Sequence, residues 1–168
     1  MSQIDGNIVR FSGLKSGAYT FDTTLDDTVL RRFENEEIKG GNVHFDIKME
    51  RNERMIMFTF AFAGEVKTEC DRCLGDMTVK VEGEEHLNVR FSDEETTDEE
   101  DTVILPETAN EIDLTPWLYE YVAVRVPMQH THPEGECDPE MVKYIADDEQ
   151  QRADDYMDPR WEALKELK

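Results

Sequence analysis

Strict alternation of apolar and polar residues from Asn42 onward is the feature that most constrains the fold. The apolar positions of this segment are Val43, Phe45, Ile47 and Met49. Period-two alternation places such side chains on one face of an extended strand. The next run, residues 55–63, is apolar at nearly every position, which is typical of a central strand buried on both faces. The middle of the chain therefore predicts a β-sheet.

Shorter alternating segments flank this pair of strands. They occupy residues 18–22, 77–81 and 87–91. Consecutive strands that are joined by short turns pair antiparallel, and Cys70 and Cys73 fall at one of the predicted reversals. We therefore expect an antiparallel meander.

Helix signals are fewer and shorter. Asp26 or Asp27 can cap a short helix after the first strand. Thr115 is placed as an N-cap, with Pro116 at the first helical position, and residues 139–145 have the composition of another short helix. The sequence predicts an α+β fold, in which an antiparallel β-sheet or a partly closed barrel is covered by a few short helices.

The length of 168 residues suits a single compact domain. We assign residues 1–146 to one α+β domain, residues 147–157 to a flexible acidic linker, and residues 158–168 to a C-terminal amphipathic helix. A helix of about three turns is marginal on its own, so it must dock either on its own domain or on a partner. Its apolar stripe consists of Trp161, Leu164 and Leu167.

The three cysteines are spaced as metal ligands would be. Cys70 and Cys73 stand at C-x-x-C spacing, which lets two sulfurs reach one centre, and Cys137 follows His130 and His132. An odd number of cysteines in a reducing compartment also favours a metal over disulfides. We predict a structural zinc site formed by Cys70, Cys73, Cys137 and His132, with His130 as the alternative histidine. The competing interpretation is that the thiols are ordinary buried side chains and both histidines are solvated.

Known catalytic patterns do not fit these cysteines well. A dithiol oxidoreductase needs its C-x-x-C at a helix N-terminus, whereas here the predicted context is strand, turn, strand. A zinc deaminase needs H-x-E before its cysteines, but His132, Pro133 and Glu134 come after Cys70. We therefore assign no catalytic residue. A zinc-dependent or thiol-based enzyme remains the alternative, and a deep pocket with an open metal position would favour it.

The chain is strongly acidic, with a formal net charge of −22 at pH 7. Binding to nucleic-acid phosphates requires lysine and arginine to displace counterions, so the charge argues against direct RNA binding and favours a basic partner. The alternative is that the acidic balance only keeps the protein soluble. We expect a cytoplasmic protein, because the N-terminus lacks the pattern of a signal peptide and the apolar run at 55–63 is too short to span a bilayer.

Three segments together resemble one known family. They are the motif Cys70-Asp71-Arg72-Cys73-Leu74 after a long apolar strand, residues 112–128, and residues 158–164. In this combination the chain, from roughly residue 45 to its C-terminus, resembles the YceD family, also called large ribosomal RNA subunit accumulation protein. Many relatives carry a second C-x-x-C where this chain has residues 130–137, so the resemblance implies that His132 would replace a cysteine.

The resemblance implies a bacterial factor in ribosome biogenesis that is needed for accumulation of the large-subunit (23S) rRNA and is not an enzyme. Together with the acidic charge, it leads us to expect contacts with basic ribosomal proteins of the large-subunit precursor. A general acidic binding module without ribosomal specificity is the other non-enzymatic alternative.

Overall fold

The structure is a computed structural model that describes residues 4–92 and 102–145. β-strand is the most abundant secondary structure of the described chain, as the alternation predicts. Residues 139–145 form a further helix, as expected. In chain order the remaining elements are β1 (Ile4–Asp5), β2 (Ile8–Arg10), β3 (Gly17–Leu25), α1 (Asp27–Leu30), a 3-10 turn (Arg31–Phe33), β4 (Gly40–Arg51), β5 (Met55–Glu69), β6 (Asp76–Phe91), β7 (Thr102–Leu105), β8 (Glu111–Asp113) and α2 (Thr115–Arg125).

The strands form two sheets. The smaller sheet has the order β1-β2-β8, and the larger has the order β3-β4-β5-β6-β7. The pairs of β3 with β4 and of β4 with β5 are antiparallel, whereas β7 pairs parallel to β6. Residues 70–75, which join β5 to β6, are too few for a parallel crossover, so these neighbours are antiparallel as well. The predicted α+β class is confirmed, and in the described part of the chain the larger sheet is open with β3 and β7 at its edges.

Strand β5 differs from the prediction in how it is buried. It is the central strand of the larger sheet, but only one of its faces is covered: Phe58 and Phe60 are buried, whereas Ala61 and Ala63 on the other face are exposed. The expectation of burial on both faces was wrong because alanine counts as apolar in a pattern but is small enough to remain in water at little cost. A second difference concerns the strand that follows. The sequence predicts two strands, at 77–81 and 87–91, but both segments are parts of one strand, β6.

Helix α2 packs on the buried face of the larger sheet, as predicted. The ring centroids of Phe60 and Tyr121 are 5.4 Å apart, and Arg125 of α2 donates to Glu85 of β6 at 2.6 Å. The predicted N-cap is shifted by one residue. Leu114 occupies the cap position without a side-chain hydrogen bond, and Asp113 instead accepts from the backbone N–H of Thr115 at 2.9 Å.

Helix α1 begins as the sequence predicts. Asp26 is its N-cap, and the Asp26 carboxylate accepts from the backbone N–H groups of Thr28 at 2.9 Å and Val29 at 3.0 Å. Leu30 then points into the core. Of the two candidate caps, Asp26 therefore fills the role.

The chain divides into two compact units. The first consists of Met1–Thr68 and Thr78–Met128, and the second of Glu69–Met77 and the residues from Gln129 onward. The boundary that we predict at residue 146 stays a prediction, since the expected linker at 147–157 and helix at 158–168 lie outside the described residues. No helix in the part of the chain that the structure describes has the length and hydropathy needed to cross a membrane.

Candidate metal centre

The second unit brings four potential metal ligands together. The sulfurs of Cys70, Cys73 and Cys137 and a ring nitrogen of His132 all lie within 4.8 Å of one another. The three cysteines are buried, and His132 is half-buried. This is the residue set that the sequence predicts, and it contains His132 rather than His130.

The turn between β5 and β6 orients its two cysteines by backbone hydrogen bonds. The N–H of Leu74 donates to the carbonyl of Cys70 at 2.8 Å, and the N–H of Cys70 donates to the carbonyl of Gly75, also at 2.8 Å. The chain reverses tightly because Leu74 adopts a left-handed conformation with φ of 57°. A further N–H, that of Arg72, lies 3.4 Å from the sulfur of Cys70. The turn thus holds both sulfurs on one side and supplies a donor to one of them.

His132 presents a defined nitrogen to the sulfurs. Its Nδ1 lies 3.4 Å from Sγ of Cys73, while its Nε2 lies 3.2 Å from the carbonyl oxygen of Asp76. A carbonyl can only accept, so Nε2 must carry the proton in the neutral ring and Nδ1 is left with a lone pair. This second hydrogen bond is the usual means by which proteins fix the orientation of a ligating histidine.

His130 has a different role in the second unit. It is 8% exposed, and its backbone N–H donates to the carboxylate of Asp71 at 2.7 Å, while the N–H of Asp71 donates to the carbonyl of His130 at 2.9 Å. Its Nε2 also lies 3.7 Å from the same carboxylate. These contacts fasten the segment before His132 to the cysteine turn. Sequence reasoning missed this role of Asp71, and no spacing or pattern in the chain signals it.

The environment of the sulfurs favours the thiolate at some positions and opposes it at others. Burial raises the pKa of Cys70, but N–H groups of His132, Cys73 and Arg72 outweigh this effect and bring the pKa down to about 6. Backbone N–H groups of Asp138 and Gly75 lower the pKa of Cys73. For Cys137, burial and the neighbouring sulfurs raise the pKa.

The imidazole responds to these neighbours too. The hydrogen bond to Cys73 raises the pKa of His132, although burial opposes the shift. Zinc would lie among the same four side chains. It would displace the protons of the thiols and of the imidazole nitrogen that faces them, because only the deprotonated forms are ligands.

The donor set and its spacing fit zinc. A tetrahedral ion with sulfur at 2.3 Å places two sulfurs about 3.8 Å apart, and the sulfurs of Cys70 and Cys137 are 3.8 Å apart. Met77 and Val142, both partly buried, pack against the cysteines. Four protein donors complete a tetrahedron, which is the arrangement of structural zinc sites, whereas catalytic sites keep one position open.

The comparisons with known proteins agree with the resemblance seen in the sequence. No curated protein and no solved structure is detectably similar to the chain. The sequence profile that does match is the one described as Large ribosomal RNA subunit accumulation protein YceD, and it covers residues 58–168, a range that includes most of β5, helix α2 and all four donors. This match extends over more than half of the chain, and the protein therefore belongs to the YceD family.

Proposed function

We propose that this protein is a non-enzymatic factor that supports accumulation of the large-subunit (23S) rRNA and assembly of the large ribosomal subunit in the bacterial cytoplasm. The observation that carries the proposal is the family match over residues 58–168, because the family is described by this role. That description names an accumulation factor and no reaction.

In this proposal zinc stabilises the fold and takes no part in a reaction. Cys70, Cys73, His132 and Cys137 would hold the ion, and the bound ion would cross-link the turn after β5 to the segment around residue 132. Structural zinc contributes directly to folding free energy because the site does not exist in the unfolded chain. The closed set of four protein donors supports this role over that of a zinc-dependent enzyme.

We further propose that the contacts with the ribosomal precursor are made to basic ribosomal proteins. A net charge of −22 repels phosphates and attracts lysine-rich and arginine-rich surfaces. Complementary charge raises the association rate and suppresses wrong partners. Binding should therefore weaken as salt rises, since salt screens exposed charges beyond about 10 Å at 0.1 M ionic strength.

Affinity purification of the tagged protein from its own host at low salt tests the proposal. We expect large-subunit ribosomal proteins and precursor rRNA among the co-purifying components, and we expect them to be lost in a wash at high salt. Depletion of the protein should reduce the ratio of large-subunit to small-subunit rRNA. An unrelated protein of similar size and negative charge, tagged and purified in the same way, is the matched control.

Two results would contradict the proposal. One is enrichment of ribosomal material no greater than that of the acidic control, which would indicate a general acidic binding module. The other is tighter binding to naked rRNA than to ribosomal proteins, which would place the contact on nucleic acid despite the negative charge.

A further inference from the structure

One face of the larger sheet is uncovered in the described part of the chain, and it is acidic. Helix α2 packs on the opposite face, where Tyr121 contacts Phe60 and Arg125 donates a hydrogen bond to Glu85. The exposed face carries a central column of small side chains from β5, namely Thr59, Ala61 and Ala63. Such a column forms a shallow trough between the longer side chains of the strands beside it.

Two aspartates face each other on one side of this trough. Asp22 of β3 is the direct partner of Asp46 of β4, and Asp46 in turn is the direct partner of Ala61. Directly opposed residues in an antiparallel pair have Cβ atoms about 5 Å apart, and like charges there are destabilising. The Asp46 side chain is 78% exposed, and Asp22 is also exposed. The repulsion between Asp22 and Asp46 therefore lowers the stability of the sheet locally.

Within the part of the chain that the structure describes, the two carboxylates are not neutralised. Among residues 4–92 and 102–145, Asp22 has no ion-pair partner, and Asp46 has only the His44 ring, whose Nε2 lies 3.6 Å away. The nearest lysine along β4, Lys48, instead pairs with Glu50 at 2.5 Å. An external cation would relieve the repulsion between the aspartates.

The other side of the trough is acidic as well. His86 of β6 lies 3.2 Å from the hydroxyl of Thr59, which places its side chain on the exposed face. Glu84 and Glu82 precede it by two and four residues and are exposed, so the period of the strand puts them on the same face. Carboxylates thus stand on both sides of the small-residue column.

The trough is large enough to take a side chain. A groove of about 420 Å³ opens on this face, and its lining includes Asp22, Asp46, Thr59 and Ala61, together with Lys48, whose charge is paired with Glu50. Small residues at its floor allow the aliphatic stem of a lysine or arginine to lie against the sheet while the charged end reaches a carboxylate.

We propose that this face, which we call the acidic sheet face (Asp22, Asp46, Ala61, Glu82 and Glu84), is the docking surface for a basic polypeptide segment of a large-subunit ribosomal protein. The inference rests on the proposed function and adds to it the part of the molecule that makes the contact. Lysine and arginine side chains fit this surface, because they place a cation beside the carboxylates while their aliphatic stems lie on the small side chains. RNA would present phosphates to the same carboxylates and be repelled, so the proposed occupant is a protein segment.

A charge-matched pair of variants tests the inference on the full-length, zinc-loaded chain. The face variant carries Asp22→Asn, Asp46→Asn, Glu82→Gln and Glu84→Gln. The control variant carries Glu36→Gln, Glu37→Gln, Glu53→Gln and Glu120→Gln, all exposed and outside the acidic sheet face. Both variants have the same net charge, so any difference in affinity between them must come from where the substituted carboxylates lie. The probe is total protein extracted from large ribosomal subunits, and each retained ribosomal protein is then purified for affinity measurements.

We expect the face variant to bind the retained basic protein about tenfold more weakly than the control variant does at low salt. A single substitution, Ala61→Lys, should also weaken binding, because its ammonium would occupy the groove beside Asp46. This variant should fold at least as stably as the wild type, since its ammonium reduces the repulsion between the opposed aspartates, and denaturant unfolding of both proteins checks that lost binding does not come from unfolding.

The outcomes separate this inference from the proposed function. If the wild type retains no ribosomal protein above the acidic control, the proposed function fails. If the wild type does retain one, but the face and control variants lose affinity equally, the proposed function stands and the acidic sheet face is overturned. Undiminished binding by Ala61→Lys would overturn it as well.

Discussion

Nδ1 of His132 lies 3.4 Å from Sγ of Cys73, on the side of the ring away from the carbonyl of Asp76 that Nε2 contacts at 3.2 Å. The ring is therefore held by one nitrogen and offers the other to the three sulfurs. Two residues earlier in the chain, His130 is held by Asp71. The two histidines, equivalent in the sequence, are thus predicted to differ in their effect on metal binding.

Replacing His132 by alanine should weaken zinc binding by more than about tenfold, because it removes a ligand and not only a supporting hydrogen bond. His130→Ala is the matched comparison, since it deletes the neighbouring imidazole and leaves all four donors in place. Competition against a chromophoric chelator, with reduced protein, measures both affinities. Equal weakening in the two variants, or a stronger effect of His130→Ala, would contradict the assignment.

Zinc affinity should fall as the solution is acidified, with a steeper dependence below about pH 6. The pKa of Cys137 is raised, so this thiol is protonated in the metal-free protein near neutral pH and must release its proton on binding. Cys70, with a pKa of about 6, is mostly a thiolate there. Below that pH it too must lose a proton, as must the imidazole of His132, whose pKa is raised, and both add to the competition between protons and zinc.

Calorimetric titration of metal-free protein in buffers of different ionisation enthalpy counts the protons released. The count should increase when the pH is lowered through the pKa of Cys70. A count that is independent of pH, or a zinc affinity that is unaffected by acid, would contradict the predicted ligand chemistry.

Strand alternation made most of the larger sheet predictable from the sequence. The alternation of apolar and polar residues at 43–49 determines which side chains face the core, independently of the rest of the chain. The burial of alternate residues in β4 agrees with this pattern. The limits of β6 could not be predicted, because the polar stretch between residues 81 and 87 resembles a turn, and its pairing with long neighbours is a tertiary effect.

The candidate site, too, could be predicted only in part from the sequence. Cys70 and Cys73 are recognisable because their local spacing already determines that both sulfurs can meet. The choice between His130 and His132 depends on the contact between Asp71 and His130, which are 59 residues apart. The pairing of Asp22 with Asp46 depends on strand register in the same way, and register is set by the fold as a whole.

Leu74→Asn should stabilise the protein by up to about 1 kcal/mol without changing zinc stoichiometry. Leu74 has φ of 57°, a left-handed conformation that is costly for leucine and tolerated by asparagine, and it is 63% exposed. Met128→Asn, at a fully exposed position without positive φ, is the control and should change stability little. Chemical denaturation of the zinc-loaded proteins measures both. A loss of stability in Leu74→Asn would show that the leucine side chain contributes packing that offsets its strain.

Gly64→Ala should destabilise the fold by about 3 kcal/mol, because β4 and β5 approach too closely there for a side chain. A Cβ at position 64 would lie 2.3 Å from the carbonyl oxygen of Asn42 and 2.5 Å from Cα of Val43. Both obstacles are backbone atoms of a strand that is paired along its length, so neither can move without disturbing the ladder. Ala63→Ser, on the adjacent exposed position of the same strand, is the matched control and should alter the free energy of unfolding by less than about 0.5 kcal/mol. Denaturant unfolding monitored by circular dichroism compares the two, and an unfolding midpoint of Gly64→Ala equal to that of the control would show that the strands can separate at this point without loss of pairing.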